Sequence, residues 1–136
     1  MIRPVLALCA LLAADWPAYR GSQQDGVSTE SILAEWPEGR PAELWRIEVG
    51  GGYAGLAVAS ARVLTLEQHG KQEVLAAYDA STGRQLWRSA WPGEYKSFLG
   101  GKGPRSTPAV QGGRVFASGT LGEFRAVDEA TGRLLW

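Results

Sequence analysis

Few residues of this 136-residue chain are equipped for chemistry, and their spacing restricts what that chemistry could be. There is one histidine, His69, and one cysteine, Cys9. Those counts exclude a zinc site built from several Cys and His ligands, an internal disulfide and a Cys-x-x-Cys pair. A Ser-His-Asp triad could draw only on His69. His69 sits in Gln68-His69-Gly70-Lys71, read as a hairpin tip with no second catalytic group beside it, so an exposed loop histidine is expected. Gly100-Gly101-Lys102-Gly103 has the glycines and lysine of a phosphate loop. It lacks the G-x-x-x-x-G-K-[ST] spacing and a following helix to aim at a phosphate, so it reads as a connecting loop. Two carboxylates, Asp79 and Asp128, stand in equivalent surroundings, each followed by Thr and Gly. An aspartate there can accept backbone N–H bonds while the glycine takes a left-handed φ, so both are read as turn residues.

The elements that must position these groups are legible from composition and repetition. The chain has 14 Lys+Arg against 14 Asp+Glu, and the zero net charge removes any general attraction for nucleic acid or an anionic membrane. Eighteen Gly and 6 Trp indicate strands with many turns. Asp79-Ala80-Ser81-Thr82-Gly83-Arg84-Gln85-Leu86-Trp87 returns as Asp128-Glu129-Ala130-Thr131-Gly132-Arg133-Leu134-Leu135-Trp136, with Asp, Thr, Gly, Arg, Leu and Trp at an offset of 49. Upstream, Leu56 to Leu64 aligns with Pro108 to Phe116, and Leu44-Trp45-Arg46 is a partial third copy of Leu86-Trp87-Arg88. Each unit reads as four short strands, in the first unit near 55–59, 62–67, 73–78 and 85–89. Gly112-Gly113 is a two-residue hairpin connection of the kind that needs positive φ, for which Ser60-Ala61 in the first unit is less suited. Trp87 and Trp136 are placed on the strand after each turn, where they can cover the gap to a neighbouring unit. Four strands repeating at this period imply a β-propeller.

The opening residues read as a targeting segment. Arg3 precedes an apolar run, Pro4 to Ala14, which suits a signal peptide over 1–14 and is too short to span a bilayer. Cleavage there leaves no cysteine and a periplasmic or extracellular product. An N-terminal core strand or helix is the other reading. Lipid attachment at Cys9 is not expected, because Leu8 precedes it where a small residue is wanted.

The repeat Ala77-Tyr78-Asp79-Ala80-Ser81-Thr82-Gly83-Arg84-Gln85-Leu86-Trp87, with its copy Ala126 to Trp136, resembles the pyrroloquinoline-quinone-like repeat propellers, whose motif is A-x-D-x-x-T-G-x-x-x-W. Asp15-Trp16-Pro17-Ala18-Tyr19-Arg20-Gly21 and Gly103-Pro104-Arg105-Ser106-Thr107-Pro108 are similar to segments of the same family. The resemblance implies an all-β, partial β-propeller of four-stranded antiparallel blades, an incomplete ring and the N-terminal piece of a longer protein. The expected organisation is 15–52 as leader with a ring-closing strand around 44–48, 53–91 as first blade, 92–104 as inter-blade loop and 105–136 as a truncated second blade. Asp79, Thr82, Gly83, Trp87, Asp128, Thr131, Gly132 and Trp136 form the structural repeat motif. Tyr53, Arg105, Ser106 and Thr107 occupy places where such propellers line a channel mouth, and are the candidate ligand surface. The resemblance also implies two functions. One is a non-catalytic binding or scaffold module of the bacterial cell envelope, with a protein, glycan or small-molecule partner. The other is the N-terminal part of a quinone-dependent alcohol or polyvinyl-alcohol dehydrogenase that would carry the quinone and Ca²⁺. Such enzymes hold Ca²⁺ through Glu, Asn and Asp, and this chain has no Asn. No catalytic residue, metal ligand or cofactor is therefore assigned within it, and neither nucleic acid nor a membrane span is expected.

Overall fold

The computed structural model describes residues 15–36 and 39–136. The expected signal peptide, with Cys9, lies outside the described residues. Among the described residues no helix is long and apolar enough to cross a membrane. From residue 54 onward every regular element is a β-strand.

The first sheet has the order β1-β2-β3-β4, all antiparallel: β1 Ala57–Ala59, β2 Arg62–His69, β3 Gln72–Asp79 and β4 Gln85–Pro92. The middle strands are buried on both faces, as the small apolar run Val74-Leu75-Ala76-Ala77 requires. Odd positions of β3 (Leu75, Ala77) face the second sheet, and even positions (Val74, Ala76, Tyr78) form a separate cluster on the opposite face. A short antiparallel hairpin follows, β5 Lys96–Ser97 with β6 Gly101–Lys102, inside the segment expected to be plain loop. The second sheet has the order β7-β8-β9: Ala109–Gln111, Arg114–Ser118 and Phe124–Asp128. Its expected fourth strand is reduced to a Val127–Leu134 bridge, with Ala126 bonded to Leu135 and Trp136. The expected strand around 44–48 is likewise not a strand, although Trp45 has a defined seat described below.

The two sheets share one core. Leu64, Leu66, Leu75, Ala77, Trp87 and Trp91 of the first pack with Val115, Ala117 and Val127 of the second. The leader stitches the innermost strands together: Trp16 exchanges both backbone bonds with Val58 (2.7 and 2.9 Å), and Pro17 O accepts from Val110 N at 2.8 Å. These are two successive, face-packed antiparallel sheets of a partial β-propeller.

The β1–β2 connection shows a cost the sequence hinted at. Ser60 and Ala61 take φ of 48° and 58°, the same left-handed pair that Gly112 and Gly113 take at 57° and 72°. A left-handed Cβ is strained, so Ala61→Gly is expected to raise the unfolding free energy by about 0.5–1 kcal/mol. A urea midpoint that stays put or falls would contradict this.

Candidate functional site

The turns and loops separate to opposite ends of the sheets. One end carries 60–61, 79–84, 112–113 and 128–133. The other carries 69–72, 92–108 and 118–123, and gathers most of the polar side chains.

At the first end, Asp79 Oδ1 accepts from Ser81 N (3.0 Å), Ser81 Oγ (2.6 Å), Thr82 N (2.9 Å) and Thr82 Oγ1 (2.8 Å). Asp128 Oδ1 accepts from Thr131 N (2.9 Å) and Thr131 Oγ1 (2.7 Å). Gly83 and Gly132 both have φ of 71°. A tryptophan from upstream lies on each turn. Trp45 Nε1 donates to Ala80 O at 2.9 Å, and Trp87 Nε1 donates to Glu129 O at 3.0 Å. A Cβ on Gly83 would meet the Trp45 ring at 2.7 Å, and one on Gly132 would meet Trp87 at 2.5 Å. Trp45 therefore stands to the first sheet as Trp87 stands to the second. Trp136 makes the third member of the series and is 60% exposed, its ring tilted against those of Phe116 and Phe124.

The Ser81 and Thr82 hydroxyl bonds, with their backbone N–H groups, hold the Asp79 carboxyl down at about 2. The Thr131 hydroxyl and backbone bonds lower Asp128 in the same direction. A carboxyl depressed in the folded state stabilises the fold above its unfolded value, and that contribution is lost as pH falls through the folded one. The urea midpoint is thus expected to drop between about pH 4 and pH 2, and the Asp79→Ala/Asp128→Ala double variant is expected to show a shallower acid limb. An unchanged acid limb in the double variant would contradict the assignment.

At the other end, Tyr53, Tyr95 and Arg105 come together. The Arg105 guanidinium lies 5.3 Å from the Tyr53 ring centre and 5.0 Å from that of Tyr95. Its Nη2 donates to Gly100 O (2.7 Å) and Gly101 O (3.4 Å), and its Nη1 donates to Gly103 O (2.9 Å). Three of its five N–H donors thus turn inward, so Arg105 organises this loop and is poorly disposed to clamp an anion in bidentate fashion. Ser106 Oγ donates to Ser118 O at 2.6 Å, and Thr107 packs against Gly55. Of the four expected ligand-surface residues, only Tyr53 and Arg105 share one cluster.

Glu67 and Glu73, two of the three buried carboxylates among the described residues, escaped the sequence reading. Glu67 is 2% exposed. Its Oε1 accepts from Tyr78 OH at 2.5 Å, and its Oε2 contacts His69 Nε2 at 2.8 Å and accepts from Gly50 N at 2.9 Å. Glu67, His69 and Tyr78 line a cavity of about 370 Å³ with Ile47, Glu48 and Arg88. His69 is therefore half-exposed and paired with a carboxylate, not an isolated loop side chain. Residues i and i+2 of a strand share a face, so the Glu67–His69 spacing was the available signal. Burial and the Glu67 bond push Tyr78 up to about 12. Its neutral hydroxyl stabilises the fold below pH 10, and the contribution is lost as pH rises through 12. Glu73, at 0% exposure, accepts from Trp91 Nε1 (3.0 Å), Thr120 N (3.0 Å) and the Thr120 hydroxyl. Gly93 and Gly119 leave it room, because a Cβ on either would meet its side chain within 3 Å.

A family model described as outer membrane protein assembly factor BamB matches residues 37–136. The chain belongs to this family. Membership agrees with the repeated blade motif and with the two face-packed sheets, so the chain is a β-propeller fragment of the quinone-like repeat type. Among solved structures, the chain is similar to a europium-containing methanol dehydrogenase at 26% identity, with a TM-score of 0.47, over 60% of this chain. It spans 14% of that enzyme's length. No curated protein matches the chain.

Proposed function

We propose that the chain is part of a non-catalytic binding or scaffold propeller of the bacterial cell envelope. The family description as an outer-membrane assembly factor supports the setting, and with it the expected secretion. The observation that carries the non-catalytic reading is the commitment of the carboxylates. Asp79 and Asp128 each commit Oδ1 to their own turn, Glu73 joins one sheet to the other, and Glu67 is held by Tyr78 and the Gly50 amide. The partner surface in this reading is the end bearing the Tyr53–Arg105–Tyr95 stack, where rigid aromatic rings offer area at low entropic cost.

The described residues do not fit the quinone-and-calcium site of the family's dehydrogenases. Calcium takes about six to eight converging oxygen ligands. No group of three or more His, Cys, Asp or Glu side chains converges in that way among the described residues. The two repeated aspartates lie in different sheets. The test is a fluorescence titration of the chain with the quinone in the presence of Ca²⁺, using its 6 Trp as reporters. The expected result is no saturable quenching and no dye-linked oxidation of primary or secondary alcohols. Saturable quenching at micromolar quinone that a chelator abolishes would overturn the reading in favour of a dehydrogenase segment.

A further inference from the structure

The 95–103 hairpin presents two features that are each unfavourable in water. Its tip is apolar: Phe98 is 100% exposed and Leu99 is 93% exposed. Just behind the tip, Lys96 pairs directly across the ribbon with Lys102, so two ammonium groups leave the same face. Like charges opposite one another destabilise a ribbon. Among the described residues neither lysine has an ion pair. The exposed tip is nevertheless held on a braced stem. Gly103 N donates to Tyr95 O (3.0 Å), and Gly100 N donates to Ser97 Oγ (3.2 Å). Tyr95 N donates to Gln68 Oε1 of the first sheet (2.9 Å), and Arg105 grips the carbonyls of Gly100, Gly101 and Gly103.

From this juxtaposition we infer that the hairpin is a membrane-surface contact, with Phe98 and Leu99 entering the headgroup boundary of an anionic bilayer and Lys96 and Lys102 straddling its phosphates. An anionic lipid surface relieves both costs at once: it removes two large apolar side chains from water and supplies counter-charge between the ammoniums. An apolar pocket on a protein would relieve only the first. The zero net charge of the chain does not oppose this, because attraction to a surface is set within a Debye length of the contact, and there Lys96 and Lys102 outnumber the one carboxylate at the base of the hairpin, Glu94. The inference goes beyond the scaffold reading and holds whether or not the complete protein is an enzyme.

The test is sedimentation of the 136-residue chain with vesicles of mixed phosphatidylethanolamine and phosphatidylglycerol, and with vesicles of phosphatidylcholine alone. The apolar run 4–14 is present in every variant, so the readout is the difference between variants. Phe98→Ser/Leu99→Ser is expected to lower the partition coefficient on the anionic vesicles about tenfold or more. Lys96→Glu/Lys102→Glu is expected to do the same on the anionic vesicles by about tenfold, and to leave the phosphatidylcholine value unchanged. All four positions are exposed or half-exposed in a short hairpin, so near-UV circular dichroism should match the parent and exclude unfolding as the cause. Absent binding, or binding indifferent to both double variants, would overturn the proposal. A chain that self-associates through the hairpin, becoming monomeric in Phe98→Ser/Leu99→Ser with no change in lipid partition, would overturn it in favour of a second copy as occupant.

Discussion

Trp87→Ala is expected to lower the unfolding free energy by about 3–5 kcal/mol, the largest loss of any single substitution considered. Trp87 is 9% exposed and belongs to the core shared by both sheets. Removing its ring deletes contacts with the 128–132 turn, and removes the N–H that satisfies Glu129 O. The complementary change probes the same contact from the other side. At Gly132 a Cβ would come within 2.5 Å of the Trp87 ring, on a backbone with φ of 71°. Gly132→Ala therefore combines overlap with left-handed strain and should cost about 2 kcal/mol or more. Urea titrations of both variants are the check. A loss under about 1 kcal/mol for Trp87→Ala would mean that the indole is a passive cover rather than a joint between sheets.

Glu73→Ala is expected to cost about 3 kcal/mol or more, although Glu73 contacts no candidate ligand surface. Its carboxylate serves the Trp91 indole in its own sheet and both donors of Thr120 in the next. Truncation would strand three donors in the space beside Gly93 and Gly119 that the carboxylate fills. Leaving a buried donor without an acceptor carries its full desolvation penalty. Glu73→Gln should cost less, about 1–2 kcal/mol, because the amide oxygen still accepts from Thr120 while the NH₂ opposes the indole N–H. Thr120→Val, which removes only the hydroxyl, should fall below both. If Glu73→Ala and Glu73→Gln were equally mild, the carboxylate would be hydrated and the inter-sheet tie absent.

The two blades were legible because their turns are written locally. Asp79 to Gly83 and Asp128 to Gly132 satisfy themselves within five residues, so the repeat alone specifies their geometry. The tie through Glu73 was not legible, because its partner Thr120 lies 47 residues away in a loop of the other sheet. Nothing near Gln72-Glu73 distinguishes a buried carboxylate from an exposed one. The β5–β6 hairpin also escaped. It has two residues per strand and no apolar alternation, and the side chain that braces it, Arg105, comes after it in the chain. Family position groups Tyr53, Arg105, Ser106 and Thr107, whereas hydrogen bonding divides them: Arg105 turns to the glycine carbonyls and Ser106 to Ser118 O. The Ser60–Ala61 turn runs the other way. Its residue types fit the left-handed pair poorly, and the register set by Ala59↔Arg62 imposes it regardless.

Trp87 and Glu73 join the first blade to the second, Trp91 orients Glu73, and Trp45 seats the leader on the first blade. Hydrogen exchange of the six indole N–H protons, followed by NMR, tests this claim most directly. Trp45, Trp87 and Trp91 donate to Ala80 O, Glu129 O and Glu73 Oε2, so their indole protons should exchange slowly. Trp136, 60% exposed and without an indole acceptor among the described residues, should exchange near the free rate. Exchange of Trp87 and Trp91 as fast as that of Trp136 would contradict the claim.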